Sequence, residues 1–267
     1  MEKTKADIIK VTNLVKRFNG FTAVDNISFS VKKSEIFAFL GPNGAGKTTT
    51  IRILTTLLKQ TDGSAFVNGY DVSKDKNNVR KSLGIVFQDP SLDDDLTAYE
   101  NMEFHGILYS VQSNIRKPRI EQLLRFVGLW ERKDDLVKKY SGGMKRRLEI
   151  ARSLIHHPKI MFLDEPTIGL DPQTRKNIWD YLKKLNKKEG MTIFFTTHYI
   201  EEAEKVADTV AIIDNGSIIQ HGTPLKLKKE TRSSSLEDAF LKLTGRSIRE
   251  EEGSRLENMR LRRRVWR

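Results

Sequence analysis

Apolar and polar positions alternate along residues 8–31, broken by the turn signals in "FNGFTAV", and this predicts short strands joined by turns. "EIFAFL" is different: a continuous apolar run ended by glycine, the pattern of a strand buried on both faces. From Lys47 the spacing becomes helical, with Ile51, Leu54 and Leu58 on one face. "DGSAFVNGYDV" and "SLGIVF" read as further strands. Between about residues 89 and 158 the periodicity turns helical again, in "IEQLLRFVGLW" and "LEIARSLI", and predicts a helical subdomain. "KIMFLDEP", "TIFFTT" and "TVAIID" return to buried strands. Between the first two, "QTRKNIWDYLKKLNKKEG" is an amphipathic helix stopped by Gly190. "DNGSIIQHG" has the Asn-Gly signature of a hairpin. Strands alternating with helices imply a parallel sheet with crossovers, hence an α/β fold. After about Glu230 a serine-rich stretch leads to a short helix, "LEDAFLKLTG", and then to a basic cluster at Arg260 to Arg267. The predicted organisation is a main domain over 1–230 and a C-terminal helical, basic tail over 231–267.

Composition narrows the classes. An apolar content of 38% in 267 residues is enough for a large core. The formal charge of +12 suits nucleic acid, an acidic ligand or an anionic membrane surface, and equally well lysine-rich solvated faces. The absence of cysteine excludes disulfides and cysteine-ligated zinc. The N-terminus lacks an apolar core of signal-peptide length, and "IFAFL" and "IMFL" are far shorter than a membrane span. The expectation is a chain in the cytoplasm, or held at a membrane by something else.

"GPNGAGKTTT", Gly41 to Thr50, follows a predicted strand and opens a helix, which is the context that the phosphate-binding P-loop pattern requires. Gly41, Gly44 and Gly46, with Pro42, Asn43 and Ala45 between them, let backbone N–H groups converge on a phosphate at a helix N-terminus. Lys47 offers a mobile charge to the β- and γ-phosphates, the Thr48 hydroxyl a ligand for Mg²⁺, and Thr49 beside it is a further candidate nucleotide-binding residue. Asp164 ends the apolar strand "IMFLD" and is placed at the sheet's carboxyl edge, where it can hold Mg²⁺ through water. Glu165 beside it is the candidate general base. Two adjacent carboxylates ending a buried strand need a compensating cation.

With these two motifs in place the chain resembles the ATP-binding subunit of an ABC transporter over nearly the whole of residues 7–230. That resemblance implies a P-loop NTPase core, with a mixed sheet, flanking helices, an antiparallel β edge and the inserted helical subdomain. It implies ATP and Mg²⁺ as cofactors and assigns further roles. Phe18 would stack on adenine. Gln88 would reach the metal and the attacking water. His198 would contact the γ-phosphate, and Asp171 would cross to another subunit. "YSGGM", Tyr140 to Met144, stands where the family has its signature, at a helix start followed by Lys145, Arg146 and Arg147. Cations are poorly placed at a bare helix start but tolerable where a triphosphate docks, and at least one of the three is expected to point to solvent instead. In the family two such domains pair head to tail, so Ser141, Gly142 and Gly143 would close over ATP held by the other copy's P-loop.

Tyr140 and Met144 depart from the common Leu-Ser-Gly-Gly-Gln form. Together with "LEDAFLKLTG" they resemble the daunorubicin-resistance type of exporter ATPase, which implies export of drugs, lipids or polysaccharide through a separate membrane subunit. The implied place is the cytoplasmic face of the cell membrane, as a peripheral subunit paired with a second copy or a homologue. A single motif set, the short Lys47-to-Asp164 spacing and the lack of cysteine argue against the family's nucleic-acid-linked branches, so no nucleic acid is expected. A soluble regulatory or nucleic-acid-linked ATPase remains the alternative reading. The basic tail suits anionic lipid headgroups or simple solubilisation.

Overall fold

The computed structural model describes residues 6–89 and 91–245. Two long strands open the chain, β1 (Asp7–Phe18) and β2 (Phe21–Lys32), joined by a tight turn at Asn19-Gly20. They are longer than the sequence pattern suggests because register shifts between Val11 and Arg17 break the alternation without ending the pairing. With β4 (Asp62–Val67) and β5 (Tyr70–Asp71) they make a four-stranded antiparallel sheet of order β2-β1-β4-β5.

The second sheet holds the buried runs. Its strands are β3 (Ile36–Leu40), β6 (Leu83–Val86), β7 (Ile160–Asp164), β8 (Thr192–Thr197), β9 (Thr209–Asp214) and β10 (Ser217–Gly222), in the order β10-β9-β3-β8-β7-β6. All pairs are parallel except β10 on β9, the hairpin turned at Asn215-Gly216. Every residue of β3, β7 and β8 is buried, since both faces are covered. Side-chain alternation splits each strand between two cores. Phe37, Phe39, Phe162 and Phe194 face the antiparallel sheet, while Ala38, Leu40, Met161, Leu163 and Phe195 face the helices. Between the sheets, ring centroids lie 5.6 Å apart for Phe29–Phe37, 5.2 Å for Phe37–Phe194 and 5.3 Å for Phe162–Phe194. Each buried ring contributes about 1.5–3 kcal/mol of transfer free energy.

Helix α1 (Lys47–Leu54) is shorter than its periodicity suggests. Thr56 takes φ 66°, and the Leu57 and Leu58 N–H groups turn back to Arg52 O, so Leu58 packs on the core from outside the helix. α2 (Lys76–Ser82) leads into β6. The helical segment contains α3 (Ala98–Leu108), α4 (Ser113–Phe126) and α5 (Gly142–Ser153). A Thr97–Glu100 capping box starts α3. α5 buries Leu148 and Ala151 as expected but stops at Ser153, before Leu154 and Ile155, which stay in the core. α6 (Pro172–Glu189) is capped by Asp171 and ended by Gly190 at φ 64°, the left-handed stop anticipated from sequence. α7 (Ile200–Val206) and α8 (Pro224–Glu230) follow β8 and β10. α9 (Leu236–Thr244) is capped by Ser235 and buries Leu236, Ala239 and Phe240 in the helix-side core. The cluster Arg260 to Arg267 lies outside the described residues. Among the described residues no helix is long and apolar enough to cross a membrane.

This topology places the chemistry. The loops leaving β3, β6, β7 and β8 emerge at one carboxyl edge of the parallel strands, and these carry Gly41–Gly46, Gln88, Glu165 and His198.

Candidate nucleotide site

The loop from Gly41 to Gly46 is shaped by its neighbours. A Cβ on Gly41 would stand 2.2 Å from Ile213 O, and one on Gly46, at φ 103°, 2.4 Å from Ala23 O. Only glycine lets this loop pass between β9 and β2. Lys47 is buried, its ammonium donating to Gly41 O at 2.6 Å and Pro42 O at 3.1 Å, with Glu165 Oε1 at 3.5 Å. Asn43 and Gly44 are exposed at the lip, while Pro42 and Ala45 are buried beneath it.

A cavity of about 280 Å³ joins this loop to the rest of the edge, lined by Phe18, Asn43, Gly44, Gly46, Lys47, Thr48, Thr49, Gln88 and Glu165. Nine predicted residues therefore share one space. Phe21, 63% exposed, lines it as well, and sequence reading missed it. Its place across the β1–β2 turn from Phe18 was the available signal. Ser141, Gly142, Gly143 and Asp171 do not line this cavity.

Glu165 holds an unusual backbone, φ 51°, with its N–H donating to the Thr196 hydroxyl at 3.0 Å. A non-glycine residue there costs about 1–2 kcal/mol. The turn aims its carboxylate back over the loop: Oε2 lies 2.9 Å from His198 Nδ1, and the buried Oε1 pairs with the Lys47 ammonium at 3.5 Å. Burial pushes the Glu165 carboxyl up, but the His198 hydrogen bond and the Lys47 charge outweigh it and hold the group below its ordinary value. Asp164 is 1% exposed and accepts from the Thr196 hydroxyl at 2.6 Å, one layer behind the cavity.

The signature segment gives the main correction to the sequence picture. Ser141 caps α5, its oxygen accepting from Met144 N. Tyr140 is buried and donates its hydroxyl to Arg132 O at 2.6 Å, so the departure from the usual leucine still fills a core position. The three cations do not project toward a docking triphosphate. Lys145 pairs with Asp94, Arg147 donates to Val127 O, and Arg146 is 7% exposed and turned inward beneath Glu165. Three residues along α5, the equally buried Glu149 pairs with Arg146.

Residues 24–168 match the family described as ABC transporter. This chain belongs to the ABC transporter family. It is 41% identical over 243 residues to the linearmycin resistance ATP-binding protein LnrL of Bacillus subtilis (strain 168), covering 91% of this chain and 76% of that one. It is 42% identical over 228 residues to the daunorubicin/doxorubicin resistance ATP-binding protein DrrA of Streptomyces peucetius, covering 85% and 69%. A solved dimer of the ATP-binding cassette MJ0796, in a post-hydrolysis state with ADP and Pi, superposes with a TM-score of 0.75 at 28% identity, over 80% of this chain and 98% of that one. The mixed sheet with its antiparallel edge is thus the family's P-loop NTPase fold, and the chain is an ATP-binding ATPase subunit.

Proposed function

We propose that this subunit drives an exporter by binding two ATP molecules between two head-to-tail copies and then hydrolysing them. The observation that carries the reading is the chain of contacts Lys47–Glu165–His198, of which Lys47 and Glu165 line the cavity together with Thr48 and Gln88. Lys47 meets the β- and γ-phosphates, Phe18 offers its ring to adenine, and Gln88 orients the attacking water. Glu165, ionised and held by His198, accepts that water's proton. Ser141, Gly142 and Gly143, outside this cavity at the start of α5, present first-turn N–H groups to the other copy's triphosphate. Asp171, the cap of α6, belongs to the loop that meets that copy.

Mg²⁺ fits the donors present. Among the described residues no group of three or more His, Cys, Asp or Glu could hold a metal, so the cation would be shared with phosphate oxygens. Thr48, Gln88 and, through water, Asp164 would hold it, beside Glu165 Oε1, whose partner is the Lys47 ammonium at 3.5 Å. Bound there, Mg²⁺ would supply positive charge against the charge that develops on the phosphates.

An integral membrane subunit is the proposed partner, with this chain peripheral on its cytoplasmic side. An exposed apolar patch on α3 and α4, Phe104, Ile107, Leu108 and Ile115, supplies a surface for it. The drug-resistance relatives support a drug as cargo. Glu165→Gln should hold ATP without hydrolysing it and elute as an ATP-dependent dimer in gel filtration; a variant that stays monomeric with ATP defeats the two-copy reading. Purification from native membranes should bring down a membrane subunit, and recovery of nucleic acid in its place would favour the soluble alternative.

A further inference from the structure

Arg146 uses every donor it has. Its Nε donates to Pro166 O at 2.8 Å. One terminal nitrogen donates to Asp164 O and Glu165 O, each at 3.0 Å, and the other to Phe87 O and to Glu149 Oε2. Five N–H groups thus meet five acceptors, a match that the guanidinium fork makes possible and an ammonium cannot. Four of these acceptors are main-chain carbonyls. Three belong to the turn that carries Glu165, and the fourth immediately precedes Gln88.

Glu149, one turn further along α5, completes the bracket. Its Oε1 accepts from Ser91 N at 2.7 Å, on the far side of Gln88, while Oε2 faces Arg146 at 3.3 Å. Arg152 on the next turn donates to Ser91 O at 2.8 Å. The same helix that begins with Ser141-Gly142-Gly143 therefore grips the left-handed turn at Glu165 and both flanks of Gln88. A buried charge with this many partners is a costly way to stabilise a helix, since well-packed apolar side chains of similar volume often serve as well or better. Its distinctive yield is position.

We infer that Arg146, braced by Glu149, is a positioning residue that ties the placement of Glu165 and Gln88 to the placement of the signature helix in the same chain. The inference rests on the two-copy reading above. When the start of α5 engages the partner's ATP, the helix moves as a body, and the guanidinium carries that displacement to the carbonyls at 87 and 164–166. Each copy's hydrolytic geometry is then set by its contact with the nucleotide held across the interface.

The test is steady-state ATP hydrolysis and direct ATP binding by the full chain carrying Arg146→Lys, which keeps the charge and loses the fork. Misplacing a catalytic group by about 1 Å costs on the order of a hundred-fold, so kcat should fall by about that factor while ATP affinity stays within about threefold of the parent. Glu149→Asp, which shortens the reach to Ser91, should lower kcat in the same selective way and decides the matter if Arg146→Lys does not fold. Parental kcat in the folded variants, or losses of kcat and ATP affinity in proportion, overturns the inference. Full turnover by Glu165→Gln would instead remove the reading beneath it.

Discussion

His198 Nδ1 lies 2.9 Å from Glu165 Oε2, and the two side chains are only 9% and 7% exposed. A carboxylate can only accept, so the imidazole donates from Nδ1 in this contact. The pair ties the loop after β8 to the turn after β7.

Removing the imidazole should move the proton equilibrium of the base. Burial alone raises the Glu165 carboxyl, and the His198 hydrogen bond is the largest opposing effect. In His198→Ala the carboxyl pKa therefore rises, and the acidic limb of the kcat–pH profile shifts to higher pH. A fall in kcat of about a hundred-fold or more accompanies it, the range for loss of acid–base organisation. A profile that keeps its acidic limb in place contradicts the assignment.

Ser141→Arg should separate binding from turnover. The substitution removes the α5 cap, worth about 1 kcal/mol, and puts a long cation at the exposed helix start. Because Ser141 lies outside the cavity lined by Lys47 and Thr48, ATP titrations should match the parent while hydrolysis is lost. Undiminished hydrolysis would remove the cross-copy role of the signature.

Acid should destabilise the chain through two half-buried histidines. Burial, aided by the Arg152 charge, holds His105 down to about 3. Burial holds His156 down to about 4, against the raising effect of its hydrogen bond to Leu83 O and with the Arg119 charge adding to the depression. Above pH 6.5 both are neutral in folded and unfolded chains. Below it the unfolded chain binds protons that the folded one refuses, so stability falls as pH drops from about 6.5 towards 4. His105→Gln should lose less melting temperature between pH 7 and pH 5 than the parent does; an equal loss refutes the assignment.

Phe194 probes the seam between the sheets. It is fully buried, within 5.2 Å of Phe37 and 5.3 Å of Phe162 by ring centroid. Phe194→Ala should cost about 3–5 kcal/mol, read as a lower denaturant midpoint, with ATP affinity preserved in the folded fraction.

How much of this was legible beforehand differs by element for physical reasons. "EIFAFL", "IMFLD" and "TIFFTT" announce themselves because strands covered on both faces need no polar alternation. The glycines at 41 and 46 do so because a phosphate loop leaves no room for side chains. The end of α1 was hidden, since Thr56 enters the left-handed region without the usual glycine or asparagine cue. The direction of Arg146 was hidden for a deeper reason. Its partners are carbonyls at 87 and 164–166, contributed by distant stretches, and carbonyls leave no trace in residue types. A cation after "YSGGM" looks like one waiting for phosphate until the fold supplies its acceptors.

The seating of α9 has a practical consequence for anyone shortening the chain. Leu236 N–H donates to Glu204, Lys228 pairs with the same carboxylate, and Phe240 is 1% exposed. Cutting in the serine run before Leu236 would strip a wall from the main core and confuse lost folding with lost tail function. A stop codon after Gly245 leaves that wall standing, and it is the cut at which membrane recruitment by the basic end can be scored cleanly.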